Sequence, residues 1–277
     1  AGGAGAMEIG TNFWNLRWHA SDDCFNNVNN VTGSNPWNPQ FLQDLSPYTN
    51  LRFMDWDVTN NSSRSQWSQR NTKTNPDQRT VAYEWMIDLC NRTGCDMWVT
   101  LPHLIINRNQ GNNPSDYALR LAILVKTGVD MQTVSLGALG DLSTKSAADF
   151  VSAGGVQTCE PLHDTLKLYL EYSNETWNSG FSQCGYCRTE GQALNLRSDA
   201  TQAGYAFHGW AATRMFAAAE MVFGAHSPRT VNVIAGWTAN VGVVGIGSAF
   251  VIDPQYNPWG VTVDAVAIAP YMGAGAS

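Results

Sequence analysis

Short apolar runs alternate with longer stretches of helical period along most of the chain, and this alternation limits the fold more than any other feature. "MEIGTNFW" (7–14), "NLRFMDWDV" (50–58), "CDMWVTLPH" (95–103), "TLKLYLEYSNE" (165–175), "TVNVIAGW" (230–237) and "VDAVAIAPYM" (263–272) read as six strands. "NPQFLQDLSPY" (38–48) reads as a short helix. "NPDQRTVAYEWMIDLCNRTG" (75–94) starts polar after Pro76, repeats apolar residues at Val81, Trp85 and Leu89, and stops at Gly94. "NPSDYALRLAILVKTG" (113–128) sets Ala118, Leu121, Ala122 and Val125 on one face, and an Ala-rich helix is expected over roughly 199–224. Residues 130–162 break the rhythm and are expected to form an insertion with structure of its own. The opening "AGGAGA" (1–6) is set aside as a leader or disordered end.

Strands alternating with helices predict a parallel sheet, in either a doubly wound or a barrel arrangement. No glycine-rich phosphate turn follows the first strand. The glycines of "GVVGIGSAF" (242–250) do not sit between a strand and a helix start as such a turn requires. The strand ends favour the barrel, because a (β/α)8 fold collects reactive side chains where its strands finish. Those ends carry Asn12 and Trp14, then Arg52 and Asp55, then His103, then Asn174 and Glu175, then Trp237, then Tyr271. The expected fold is therefore an α/β barrel of the (β/α)8 TIM type over residues 7–277. Strands one to six are visible, and strands seven and eight are missing from this chain.

Charge is sparse and acidic, with 16 Lys plus Arg against 23 Asp plus Glu. No basic stripe offers a nucleic-acid surface, and no apolar run reaches membrane-spanning length. Polarity comes from Asn, Ser, Thr and Gln, interleaved with Trp, which suits a neutral, hydroxyl-rich partner. Six cysteines, Cys24, Cys90, Cys95, Cys159, Cys184 and Cys187, form the even count expected of a disulfide-bonded, secreted protein, with the pairing left open. N-glycan acceptors begin at Asn30, Asn60, Asn61, Asn91 and Asn174. The last lies at a strand end and is expected to stay bare, leaving the first four as candidate sites.

Arg52 in "NLRFMDW", His103 in "VTLPH", Asn174-Glu175 in "EYSNE" and Tyr271 in "IAPYM" fall in one register along strands two, three, four and six. That pattern resembles the retaining glycoside hydrolases with (β/α)8 barrels, the cellulase-like clan. "EYSNETWN" is also similar to secreted proteins described as cellulose-binding or hydrolase-like. The resemblance implies Glu175 as general acid/base, Asn174 on the sugar hydroxyl next to the reacting carbon, and Arg52 orienting the second carboxylate. It implies His103 and Tyr271 as further hydrogen-bonding groups, with Trp14, Trp56, Trp177 and Trp237 stacking on sugar rings beside Asn12 and Asp55. The implied substrate is a β-linked polysaccharide such as a glucan, and no cofactor is needed.

Two departures accompany the resemblance. Ala269 stands where the clan often carries His, and the clan's nucleophile is a Glu ending strand seven. A retaining mechanism needs two carboxylates about 5–5.5 Å apart. Asp55 is sent to the face opposite Arg52 by strand parity, and Glu171 shares the parity of Glu175 but lies deeper, where it is expected to pair with Arg52. The expectation is that the chain is part of a longer protein. The alternative is a non-catalytic relative that binds polysaccharide or serves as a structural extracellular glycoprotein.

"QCGYCR" (183–188) spaces Cys184 and Cys187 like a thiol redox motif. Such motifs open a helix after a strand; here a polar loop is expected, and with it a structural disulfide. Five His without paired spacing argue against a metal site.

Overall fold

The structure, a computed structural model, describes residues 37–75 and 77–270. The first expected strand, with Asn12 and Trp14, lies outside the described residues, as do Cys24, Asn30 and Tyr271. The strands are β1 (Asn50–Arg52), β2 (Asp96–Leu101), β3 (Val129–Asp130), β4 (Val156–Gln157), β5 (Leu168–Tyr172), β6 (Thr230–Trp237) and β7 (Ala265–Ala269). The helices are α1 (Pro39–Leu45), α2 (Tyr83–Thr93), α3 (Asp116–Thr127), α4 (Ala147–Ser152), α5 (Ser182–Ala193), α6 (Ala200–Phe223) and α7 (Val241–Ile252).

Five strands form one curled parallel sheet in the order β1-β2-β5-β6-β7, half of a barrel wall that does not close among the described residues. The strands of this sheet follow chain order, with only the β3–β4 insertion between β2 and β5, and the order never reverses as it must in a doubly wound sheet. The remaining strands, β3 and β4, pair antiparallel inside the expected insertion, which also holds α4 and two short 3-10 turns.

Register divides the sheet into two faces. Arg52 pairs with Trp98, Trp98 with Tyr169, Thr100 with Glu171, and Glu171 with Val233, so these residues share the concave face. Met97, Val99, Leu101, Leu168, Leu170 and Tyr172 take the other face and are all buried. There Tyr172 meets the rings of Phe207 and His208 on α6 at 6.4 and 5.7 Å. Burying each such Leu or Val is worth about 1.5–3 kcal/mol, so the outer face fixes the register and the inner face is left free for polar groups.

Helix α6 is Ala-rich because its neighbours come close. A Cβ on Gly209 would lie 2.0 Å from the Gly247 carbonyl oxygen of α7, so the two backbones touch there. This corrects the reading of the glycine-bearing "GVVGIGSAF": it is the body of α7, capped at its start by the Asn240 side chain. Helix α5 was also not foreseen. "QCGYCR" lies in its first turns, in a segment too polar for an amphipathic pattern to reveal.

Several boundaries are shorter than the apolar runs. β1 ends at Arg52, because the following residues form turns, with Trp56 N–H on Phe53 O at 3.0 Å and Val58 N–H on Asp55 O at 2.8 Å. The helix expected from 75 begins at Tyr83. The insertion is pinned from below by Arg70, which holds Glu84 at 3.0 Å and Asp130 at 2.7 Å, while Trp67 Nε1–H donates to Asp130 at 2.8 Å.

The cysteines also depart from expectation. Cys90, Cys95, Cys159, Cys184 and Cys187 are all free thiols, so no disulfide forms among the described residues. The helix-opening position of Cys184 and Cys187 is that of redox motifs. Their chemistry is not, because burial pushes both thiols above their ordinary range, Cys187 the further.

Candidate functional site

The site is built where β1, β2 and β5 finish. Arg52, last residue of β1, reaches across β2 to Glu171 on β5 with two bonds, Nε to Oε2 and Nη2 to Oε1, each 3.0 Å. Trp98 on the strand between lies under the guanidinium, 5.4 Å from it, and donates its indole N–H to Glu171 Oε2 at 2.8 Å. Glu171 is almost wholly buried, and burial pushes its carboxyl up while Arg52 and Trp98 pull the other way.

Beyond Glu171 the chain leaves the sheet in an uncommon conformation. Ser173 and Glu175 take φ of 58° and 42°, the left-handed region, and Ser173 N–H donates to Leu101 O at 2.9 Å. Such a turn costs energy and persists because its surroundings hold it. The result aims Asn174 and Glu175 at the end of the sheet. Asn174 Oδ1 accepts from Arg52 Nη2 at 3.2 Å, and its Nδ2 donates to Asn60 Oδ1 at 3.1 Å. Both ends of the amide are therefore oriented, with one Nδ2 hydrogen to spare. Glu175 is half-buried, and its Oε2 accepts from Asn178 Nδ2 at 2.7 Å.

The turn is clamped by Gln183 from α5. Its Nε2 donates to Asn60 Oδ1 and to Asn174 O, both at 2.8 Å, and its Oε1 accepts from Asn61 N–H at 3.0 Å. Gln183 thus ties the loop after β1 to the end of β5. Asp55 supports the same loop, its Oδ1 accepting from Asn60 N–H at 3.0 Å.

A cleft of about 380 Å³ opens over this cluster. Arg52, Met54, Trp98, Glu171, Asn174, Glu175 and Trp177 line one side, and Ala235, Gly236 and the β7 residues Val266, Ala267, Ile268 and Ala269 line the other. Ala235, Gly236, Ala267 and Ala269 add little bulk to that side, while Val266 and Ile268, 52% and 56% exposed, give it an apolar edge. Among the described residues, the carboxylates lining it are Glu171, already engaged, and Glu175.

The structure thus gathers Arg52, Asn174, Glu175 and Trp177 at one cleft and sets Asp55 behind them. It places other expected residues elsewhere. His103 is buried in a 3-10 turn after β2, edge-on to the Tyr186 ring at 5.1 Å, and it does not line the cleft. Its Nδ1 has no hydrogen-bond partner, and burial lowers its pKa to about 4. Trp56 is 3% exposed and packs on Phe53, leaving no free ring face for a sugar. Trp237 ends β6 at the rim with 37% exposure. Asp57, two residues beyond Asp55, is buried on Arg64 and the hydroxyls of Tyr83 and Tyr117, and burial raises its pKa.

Trp98, Asn60, Asn178 and Gln183 were missed as site residues. Trp98 stands at the parity opposite to His103 in "CDMWVTLPH", and only the structure pairs it across from Arg52. Gln183 gave no local signal, since its partners lie nine and more than 120 residues away. Set against family models, curated proteins and solved structures, the chain finds no significant match.

Proposed function

We propose that the protein is a secreted glycoside hydrolase of the cellulase-like clan, cleaving a β-linked glucan with retention. On this reading the curled sheet comprises strands two to six of a (β/α)8 barrel. The observation that carries the proposal is the strand-end cluster: Glu175 on the cleft wall, next in the chain to an Asn174 whose amide is oriented by Arg52. Glu175 donates its proton to the leaving glycosidic oxygen and then activates water. The spare Nδ2 hydrogen of Asn174 meets the hydroxyl beside the reacting carbon. Trp177 offers an apolar face for the ring. The nucleophile is a carboxylate from a seventh strand, as the resemblance implies.

One observation favours a second reading. Among the described residues the other carboxylate in the cleft is Glu171, and it is locked by Arg52 and Trp98 and cannot attack. On this second reading Glu175 and its neighbours bind polysaccharide without cutting it. Incubating the protein and its Glu175→Gln variant with soluble β-glucans separates the two. Release of reducing ends by the native protein, reduced at least about 100-fold in the variant, supports hydrolysis. Equal retardation of both in glucan-containing native gels, with no release by either, supports the binding reading.

A further inference from the structure

The strand-end turn is held from a second side, by a residue that the reaction does not touch. Thr176 follows Glu175 directly, and its Oγ1 lies 3.1 Å from His208 Nδ1 on α6. On the other side of the same ring, the Ala235 N–H of β6 points to His208 Nε2 at 3.5 Å. Thr176 and His208 are 2% and 1% exposed, so no water competes for either bond.

The backbone explains why a histidine stands there. The β5–β6 pairing ends at Glu171 and Val233, since β5 turns away at Ser173. Ala235 lies beyond that last rung, and its N–H turns to an acceptor from the helix layer. Because the amide donates to Nε2, the ring proton sits on Nδ1 and donates to Thr176 Oγ1. Burial keeps the ring neutral, with its pKa lowered to about 4. One imidazole thus satisfies a sheet amide and holds the residue next to the acid, both in the dry interior between α6 and the sheet.

We infer that His208 is a positioning residue, latching the Glu175 turn through Thr176 and tying it to β6, the strand that forms the facing wall of the cleft. Gln183 holds the turn from the α5 side at Asn174, and His208 holds it from the α6 side at Thr176. Between the two clamps Glu175 keeps its left-handed backbone and its place on the cleft wall. The part of this concerning catalysis rests on Glu175 being the acid.

Thr176→Val keeps the shape and deletes the hydroxyl; Thr176→Ser keeps the hydroxyl and trims a methyl. Hydrogen exchange of the amides from 174 to 178 is followed in both and in the native protein, with β2 amides as an internal standard. Thr176→Val is expected to exchange about tenfold faster in this turn alone, and Thr176→Ser to stay near native. On a hydrolysed glucan, Thr176→Val is expected to lower kcat about tenfold with KM within about twofold, and Thr176→Ser to restore kcat. Native exchange in Thr176→Val overturns the latch. A native protein that hydrolyses no glucan removes Glu175 as acid and leaves the latch to the exchange result.

Discussion

Arg52 and Glu171 clasp one another across the width of β2, with both bonds at 3.0 Å and Trp98 filling the gap beneath. The pair is lopsided: the Arg52 side chain is 34% exposed and that of Glu171 only 2%. Glu171 depends on Arg52 for its charge compensation, whereas Arg52 can still reach water.

That asymmetry predicts unequal losses. Arg52→Met strands a buried carboxyl with one indole N–H and is expected to cost about 2–3 kcal/mol, discounted for the exposure of the guanidinium. Glu171→Leu removes the buried charge itself and is expected to cost about 1 kcal/mol or less. Urea denaturation of both variants measures the difference. Equal losses would mean that Glu171 is compensated by something other than Arg52.

Gln183 makes three hydrogen bonds, to Asn60, Asn61 and Asn174, and is fully buried. Gln183→Ala leaves those groups without their partner and is expected to cost about 2–3 kcal/mol. It also loosens the loop after β1, so proteolysis between residues 58 and 64 is expected to accelerate. A variant as stable and as resistant as the native protein would dismiss Gln183 as the clamp.

Two buried histidines predict an acid-sensitive fold. His103 and His208 titrate at about 4 when folded against an ordinary 6.5. Between those values the unfolded chain binds more protons, so stability present above pH 6.5 is lost as pH falls to about 4. Asp57 and Glu171 act in the opposite sense, because burial raises their carboxyls and the folded state takes up their protons first. His103→Phe is expected to flatten the slope by up to about 1.4 kcal/mol per pH unit. Stability curves at several pH values test this, and an unchanged slope would place the titration elsewhere.

The glycan acceptors are not equivalent. Asn60 and Asn174 are spent inside the site, and Asn91 donates its Nδ2 to Pro161 O at 2.9 Å. Asn61 is exposed and uses its Oδ1 to accept from Ser182 N–H, which a glycan on Nδ2 leaves intact. Expression in a glycosylating secretory host, followed by peptide mapping, is expected to find sugar at Asn61 in preference to the other three. A glycan on Asn174 would be incompatible with the site as described.

Strand content was legible wherever a run was apolar on both faces. "TVNVIAGW" coincides with β6, and the pairing of Glu171 with Arg52 was expected from the parity of Glu171 and its depth below the strand end. Legibility failed where local composition and tertiary contacts disagreed. Polar α5 and glycine-bearing α7 each pack one face on neighbouring elements that no local pattern reveals, and His103 kept its expected address at the end of β2 while its ring turned into the core. The expected disulfides failed for a related reason, since an even count of cysteines says nothing of whether two sulfurs meet.

The order of the sheet strands within the described residues, and the polar residues waiting at their ends, were written in the sequence by itself; helices α5 and α7 were not. Hydrophobic period and strand parity are local properties, set by residues a few positions apart. Which of those polar residues share one cleft was decided by tertiary structure. The clamps from α5 and α6, the left-handed turn at Ser173 and Glu175, and the small residues of the facing wall join segments far apart in the chain, and no local pattern encodes such meetings.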